Sequence, residues 1–147
     1  MENLMIRKET ERDYAAVENL TREAFWNVNV PGYDEHYLVH TMRRHEDFIP
    51  ELAFVLERNG EIIGNVMYTR AALVDESGFC KPILTFGPLS ILPAYQRRGY
   101  GRLLLEHSFR CAEELGYAWT IPPPNAVKIY RFRLINPYFA LFAPNKA

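Results

Sequence analysis

Residues 87–117 read "GPLSILPAYQRRGYGRLLLEHSFRCAEELGY", and the architecture is announced here more clearly than anywhere else in the chain. An apolar run ends at a turn carrying Pro93, and two arginines and two glycines then stand where a helical pattern begins. Leu104, Leu105, Ser108, Phe109, Ala112 and Leu115 fall on one stripe at helical spacing, and Gly116 provides the stop. That stripe is core packing and carries no chemistry. The turn before it does. Backbone N–H groups of a helix's first turn lack intrahelical partners, and the macrodipole leaves partial positive charge there. Gly99 and Gly101 let the backbone approach a bulky anion, and Arg97, Arg98 and Arg102 add fixed charge suited to phosphate. The segment Gln96–Gly101, "QRRGYG", therefore describes a pyrophosphate cradle. A solvated basic helix start is the plainer alternative.

Two other phosphate loops are excluded. No Gly-Lys-Ser/Thr ending is present, so this is not a P-loop. No G-x-G-x-x-G follows a first strand with an acid about 20 residues later, which argues against a dinucleotide site.

Upstream, "KPILTFGPLSIL" reads as a strand with Gly87-Pro88 inside it. Proline removes a ladder donor and glycine invites a bulge. The pair marks either an edge-strand kink or a place where the strand splays and frees backbone groups for a ligand. Further back, "ELAFVLER" and "EIIGNVMYTRAALVD" flank Asn59-Gly60, a hairpin signal. "LMIRKE" is a first strand. Thr10 with Asp13 forms an approximate capping box that opens a helix with Tyr14, Val17, Leu20, Ala24 and Phe25 on one face. "VNVPGY" breaks it, and "DEHYLVHTMRRH" is a second, shorter helix. The order β-α-α-β-β-β-α predicts an α/β (α+β) fold: a mixed, centrally antiparallel sheet with helices on its faces.

The 147 residues suit one domain, 1–147. Apolar residues at 48% and charged residues at 24% describe an ordinary globular chain. A formal net charge of −1 gives no general pull toward nucleic acid or an anionic membrane. Cys80 and Cys111 lack metal-ligand spacing, no metal is expected, and nothing suggests a disulfide. The start "MENLMIRKET" is not a signal sequence, and no run approaches the roughly 20 apolar residues of a membrane span. The expected location is cytoplasmic.

"QRRGYG" resembles the Q/R-x-x-G-x-G/A motif of the GNAT N-acetyltransferase superfamily. The resemblance extends upstream through "FGPLSILPAY" and downstream to Gly116-Tyr117, and covers residues 3–117. It implies acetyl-CoA as the acetyl donor. Backbone groups from Leu89 through Ser90 to Ile91 would hold the pantetheine arm. The amides of Arg97, Arg98, Gly99, Tyr100, Gly101 and Arg102, beside Gln96, would hold the pyrophosphate. The expected activity is acetyl transfer to a primary amine of a small molecule or peptide, by direct attack. A thioester is already activated, so alignment supplies much of the rate. The amine, with a pKa of about 10.4 if lysine-like, must first lose a proton.

The strand that would carry a Glu base has no carboxylate. Thr85 and Ser90 are hydroxyls able to order a water relay, and Ser90 is the candidate catalytic residue on this strand. His107 is a weaker candidate base. Glu35, His36 and Tyr37, with Trp26 and Tyr33, belong to the helix-loop-helix that roofs the acceptor pocket in this family, the alternative being core packing.

Beyond Tyr117 the resemblance weakens. "AWTI" reads as a short fifth strand, three prolines follow, and "PYFALFAP" as a last strand. "IYRFRL" echoes the family's Tyr…Phe-Gly-Phe segment, which makes Tyr130 the candidate acid for the leaving thiolate. All 18 acidic residues and all 8 glycines lie before residue 118. Residues 118–147 thus read as a divergent segment, or one altered by frameshift or truncation. Exposed Phe and Tyr there would favour a homodimer. The competing functional reading is a catalytically weak acyl-CoA-binding or scaffold domain of the same fold.

Overall fold

Asn59 and Gly60 both adopt positive φ, 51° and 84°, the geometry that a two-residue type I′ hairpin demands. The hairpin they close organises the sheet. The computed structural model describes residues 2–25, 35–74, 77–78, 80–120, 128–130 and 141–144. Its strands are β1 (Leu4–Lys8), β2 (Phe54–Arg58), β3 (Glu61–Val74), β4 (Cys80–Ile91), β5 (Tyr117–Thr120), β6 (Lys128–Tyr130) and β7 (Leu141–Pro144). Its helices are α1 (Tyr14–Phe25), α2 (Glu35–Met42) and α3 (Tyr100–Glu114).

The sheet runs β1-β2-β3-β4-β7-β5, and β6 adds to β3. Every pairing between these strands is antiparallel. The mixed α/β architecture with a centrally antiparallel sheet is therefore as the sequence predicts.

Strand alternation divides the core into two layers. Phe54, Leu56, Val66, Tyr68, Leu84 and Phe86 pack with Leu104 and Ala112 of α3. Val55 and Met67 point the other way, against Val17 of α1 and Val39 and Met42 of α2. Each buried Val, Leu, Phe or Met among them contributes about 1.5–3 kcal/mol by leaving water. The Tyr68 hydroxyl donates to Ser108 Oγ at 2.7 Å, since Ser108 gives its own proton to the Leu105 carbonyl at 2.9 Å. Burial pushes the Tyr68 phenol far above its usual range, so it stays a donor.

Three local expectations need correction. The Thr10–Asp13 box opens a 3-10 turn, Glu11–Asp13, and α1 begins only at Tyr14. There the Asp13 carboxylate accepts from the Thr10 N–H at 2.8 Å and hydroxyl at 3.0 Å. Tyr14 and Leu115 are exposed rather than core-facing. Tyr14 instead lies under the Arg43 guanidinium, 4.0 Å from its ring centre. Leu115 is displaced because the helix ends at Glu114, where Gly116 takes φ 95° and donates its N–H to the Glu113 carbonyl.

The Arg43 side chain also ties the α1–α2 layer together. It is nearly buried and pairs with Glu9 at 2.6 Å and Glu18 at 2.8 Å. Glu18 in turn meets His40 Nδ1 at 2.9 Å.

Candidate active site

The decisive local feature is a bulge in β4. Leu89 faces Val66 and Phe86 faces Tyr68, so Met67 of β3 stands opposite both Gly87 and Pro88. The extra residue bends β4 and turns its last residues. Gly87 sits there with φ 144°, a conformation that favours glycine. Before the bulge, β7 pairs with β4 at Leu84 and Thr85. Beyond it, among the described residues, β4 has only β3 as a neighbour.

The ladder shows which backbone groups are left over. The Leu92 N–H donates to the Ile63 carbonyl at 2.9 Å, so Leu92 and, two residues back, Ser90 direct their backbone toward β3. Leu89 and Ile91 therefore direct theirs to the open side. The Ile91 carbonyl is met there by the Gln96 side chain, whose Nε2 donates at 2.9 Å. Gln96 thus clips the turn to the strand, and the amides of Leu89 and Ile91 remain along the same edge.

That turn delivers the second half of the site. Arg97 and Gly99 are both left-handed, with φ 63° and 87°, and Gly99 is the N-cap of α3. A left-handed residue followed by the helical Tyr100 turns successive N–H groups to one side, an anion-binding nest. The first turn of α3 carries no acid. Its first amide with an intrahelical acceptor is that of Leu103, which bonds the Gly99 carbonyl at 3.1 Å.

Arg97 and Arg98 are exposed, and among the described residues neither pairs with a carboxylate. Arg98 stands 5.8 Å from the Tyr95 ring centre. Arg102 is different: it pairs with Glu106 at 2.7 Å, in a solvent-washed i,i+4 contact that contributes little. Tyr100 packs edge-on to Tyr95 and donates its hydroxyl to Glu2 at 2.7 Å, and that contact raises the phenol's pKa.

Two glycines hold the halves together in different ways. A Cβ on Gly64 would lie 2.6 Å from Ile91 Cδ1 and 3.2 Å from the Ser90 carbonyl. Glycine is needed there because β3 approaches the end of β4 closely. A Cβ on Gly101 would meet only Ile91 Cγ1, at 3.8 Å, which is an ordinary contact.

The structure brings Leu89, Ser90, Ile91 and residues 96–102 into one continuous strip. Ser90 is 1% exposed, and its hydroxyl points at α1, donating to Thr21 Oγ1 at 3.4 Å. Thr85 lies on the same face and bonds Thr69 at 3.0 Å. His107 stacks edge-on to Phe54, 4.9 Å between ring centres, and burial lowers its pKa. It lies on the opposite face from Ser90.

Tyr130 is not brought to Ser90. Its backbone faces Ala72, whereas Ser90 faces Asn65. Seven positions of β3 separate them, about 23 Å at strand rise. Glu35, His36 and Tyr37 lie on α2, with no description of their side chains, and Trp26 and Tyr33 fall outside the described residues.

Among the described residues no group of three or more His, Cys, Asp or Glu could hold a metal ion, and no helix is long and apolar enough to cross a membrane. Sequence reasoning missed Gly64, Thr21 and Asn65. The last was visible as a polar residue inside the apolar run "EIIGNVMY".

Comparison with known proteins converges on one family. The family model described as Acetyltransferase (GNAT) family matches residues 21–133, sixteen positions beyond the Tyr117 limit of the motif resemblance. A GNAT family acetyltransferase from Brucella melitensis, solved with acetyl-CoA, shares 23% identity over 96% of this chain and 88% of its own, at a TM-score of 0.65. The GNAT family N-acetyltransferase YhbS from Escherichia coli, solved with CoA, shares 26% identity over 81% of this chain and 61% of its own, also at 0.65. An aminoglycoside N-acetyltransferase, AAC(6′)-Iy, solved with CoA, shares the fold at 15% identity and a TM-score of 0.57, over 79% of this chain and 73% of its own. No curated protein matches the sequence.

Proposed function

Because the chain belongs to the acetyltransferase (GNAT) family, we propose that it transfers the acetyl group of acetyl-CoA to a primary amine of a small molecule or peptide by direct attack. One observation carries this reading. The open edge of β4 at Leu89 and Ile91 runs straight into the acid-free first turn of α3, beside Arg97 and Arg98. An extended amide-bearing arm suits the first, and a diphosphate suits the second. Acetyl-CoA carries both, in that order, behind its thioester. The relatives from Brucella melitensis and Escherichia coli were solved with acetyl-CoA and CoA respectively, which supports the choice of donor.

In this scheme the Leu89 and Ile91 backbone pairs with the pantetheine arm as an added strand would. The amides of Arg97, Arg98, Gly99, Tyr100, Gly101 and Arg102 receive the pyrophosphate. Gln96 acts from the side by holding the turn against Ile91. The helix end contributes about 0.3–1 kcal/mol, up to about 2 when partly buried. Arg97, Arg98 and the several N–H bonds supply the remainder.

Donor and amine held together need little covalent help. A strand amide directed at the thioester oxygen would stabilise the charge that develops there. Ser90, between Leu89 and Ile91, is the candidate catalytic hydroxyl of this strand. Tyr130 as thiolate acid requires a route across about 23 Å of sheet, and the scheme uses solvent for that proton instead. A primary amine is chosen because AAC(6′)-Iy, a structural relative, is an aminoglycoside N-acetyltransferase. A cytoplasmic location accords with the substrates.

The test is release of CoA thiol from acetyl-CoA across a panel of primary amines. Release that requires both protein and amine supports the proposal. Binding of acetyl-CoA without turnover for any amine would favour the acyl-CoA-binding scaffold.

A further inference from the structure

The face of the sheet covered by α1 buries a row of polar side chains beside the apolar Val55 and Met67, where a helix-covered face is ordinarily apolar. Asn65, Thr69, Thr85 and Ser90 all lie on it, none more than 2% exposed. Three of the four are satisfied within the protein. Thr69 and Thr85 bond each other, and Ser90 donates to Thr21, whose own proton goes to the Val17 carbonyl at 2.8 Å. Asn65 is the exception. It is 1% exposed, and among the described residues neither its Nδ2 nor its Oδ1 has a hydrogen-bond partner.

A buried amide left in that condition costs about 1–3 kcal/mol, and leucine, with the same number of side-chain heavy atoms and the same branching, would avoid that cost. Asn65 stands directly across the ladder from Ser90. Ser90 in turn lies between Leu89 and Ile91, the two residues whose amides face the open edge.

We propose that Asn65 and Ser90 form a buried polar subsite holding one water, which orients the acceptor amine for attack. This rests on the acetyl-transfer reading above. Ser90 has committed its proton to Thr21, so its oxygen faces the subsite as an acceptor. The Asn65 carboxamide brings two donors and an acceptor. A water there accepts from Asn65 Nδ2 and donates to Ser90 Oγ, within the two to four contacts that internal waters make. Its remaining lone pair accepts an N–H of the neutral amine and turns the nitrogen's own pair toward the thioester carbon. No proton changes hands in this contact. Asn65 acts through the water and is a positioning residue.

The experiment compares wild type with Asn65→Leu in the full chain. The leucine variant should unfold at the same urea concentration as wild type, or higher. It should bind acetyl-CoA with unchanged affinity by calorimetry. Its kcat should fall about 10- to 100-fold, with KM for acetyl-CoA and the shape of the pH profile unchanged. Asn65→Ser, which restores a hydrogen-bonding group, should recover most of that loss. Wild-type kcat in the leucine variant overturns the proposal, as does equal loss in both variants together with lowered stability. Should Asn65→Leu fail to fold, Asn65→Ala is read by the same criteria.

A high-resolution crystal structure of wild type separates this proposal from the reading beneath it. A water hydrogen-bonded to both Asn65 and Ser90 supports the subsite even if no amine turns over, in which case the transfer reading alone has failed. An Asn65 carboxamide bonded to other protein groups with no such water overturns it.

Discussion

Replacing Gly99 with aspartate should leave the stability of the free protein nearly unchanged while weakening donor binding. Gly99 sits at φ 87° as the N-cap of α3, and a Cβ there meets nothing within 4 Å. The substitution therefore costs only the left-handed conformation, which Asp tolerates better than most residues. Against that cost stands the benefit of an anion at a helix N-terminus, about 0.3–1 kcal/mol. The two nearly cancel, and the free variant should melt within a few degrees of wild type.

The bound state is another matter. A carboxylate about 6 Å from a phosphate charge, at an effective dielectric constant of about 40, is repelled by about 1.4 kcal/mol. Two such charges give about 3 kcal/mol, or about 2 once salt screens them. That is a loss of about 30-fold in affinity. In a melting assay, CoA at about 100 times the wild-type Kd contributes about 2.7 kcal/mol. At about 3 °C per kcal/mol for a chain of this size the wild-type midpoint rises roughly 8 °C. The variant should retain about 0.9 kcal/mol and a rise of roughly 3 °C. A Gly99→Asp protein that shifts as far as wild type would refute the placement of the diphosphate at α3.

Three further outcomes test the frame around the site. Leu104→Ala empties a fully buried position between α3 and the sheet and should cost about 2–5 kcal/mol in urea unfolding. Gly64→Ala forces a Cβ against Ile91 and the Ser90 carbonyl. It should cost about 1–3 kcal/mol and weaken CoA binding too, because the strand end that receives the donor shifts. Arg7 holds the Asp13 carboxyl down to about 2, against an ordinary 3.8. A depressed folded pKa stabilises above the unfolded value and is lost as protons return. Stability from this pair should thus be full above about pH 4 and fade toward pH 2, and Asp13→Asn should flatten that part of an acid-unfolding curve.

Much of this arrangement was legible in the residues themselves because it is locally encoded. Asn59-Gly60 specifies its turn through backbone conformation alone, and Gly116 stops α3 for the same reason. Gly87-Pro88 announced an interruption in β4, though choosing between a kink and an open edge required knowing where β7 pairs. The turn proposed as the cradle could be picked out because its elements are contiguous from Gln96 to Arg102.

Features built from distant segments were not legible. Gly64 matters through its distance to Ile91, and Gln96 acts through a carbonyl five residues away across a turn. Asn65 gains meaning only from its register with Ser90. Tyr130 was proposed on a local likeness to the family's C-terminal pattern, and strand pairing sets its backbone at the far end of β3. Leu115 fits the helical stripe by spacing, yet the helix ends one residue earlier.

The most direct measurement is an amide-resolved NMR titration of the wild-type protein with CoA. If the donor lies as described, saturable shifts should concentrate at Arg98 through Leu103, with a second group at Leu89 and Ile91. Saturable shifts centred on any other part of the sheet, with α3's first turn undisturbed, would contradict it.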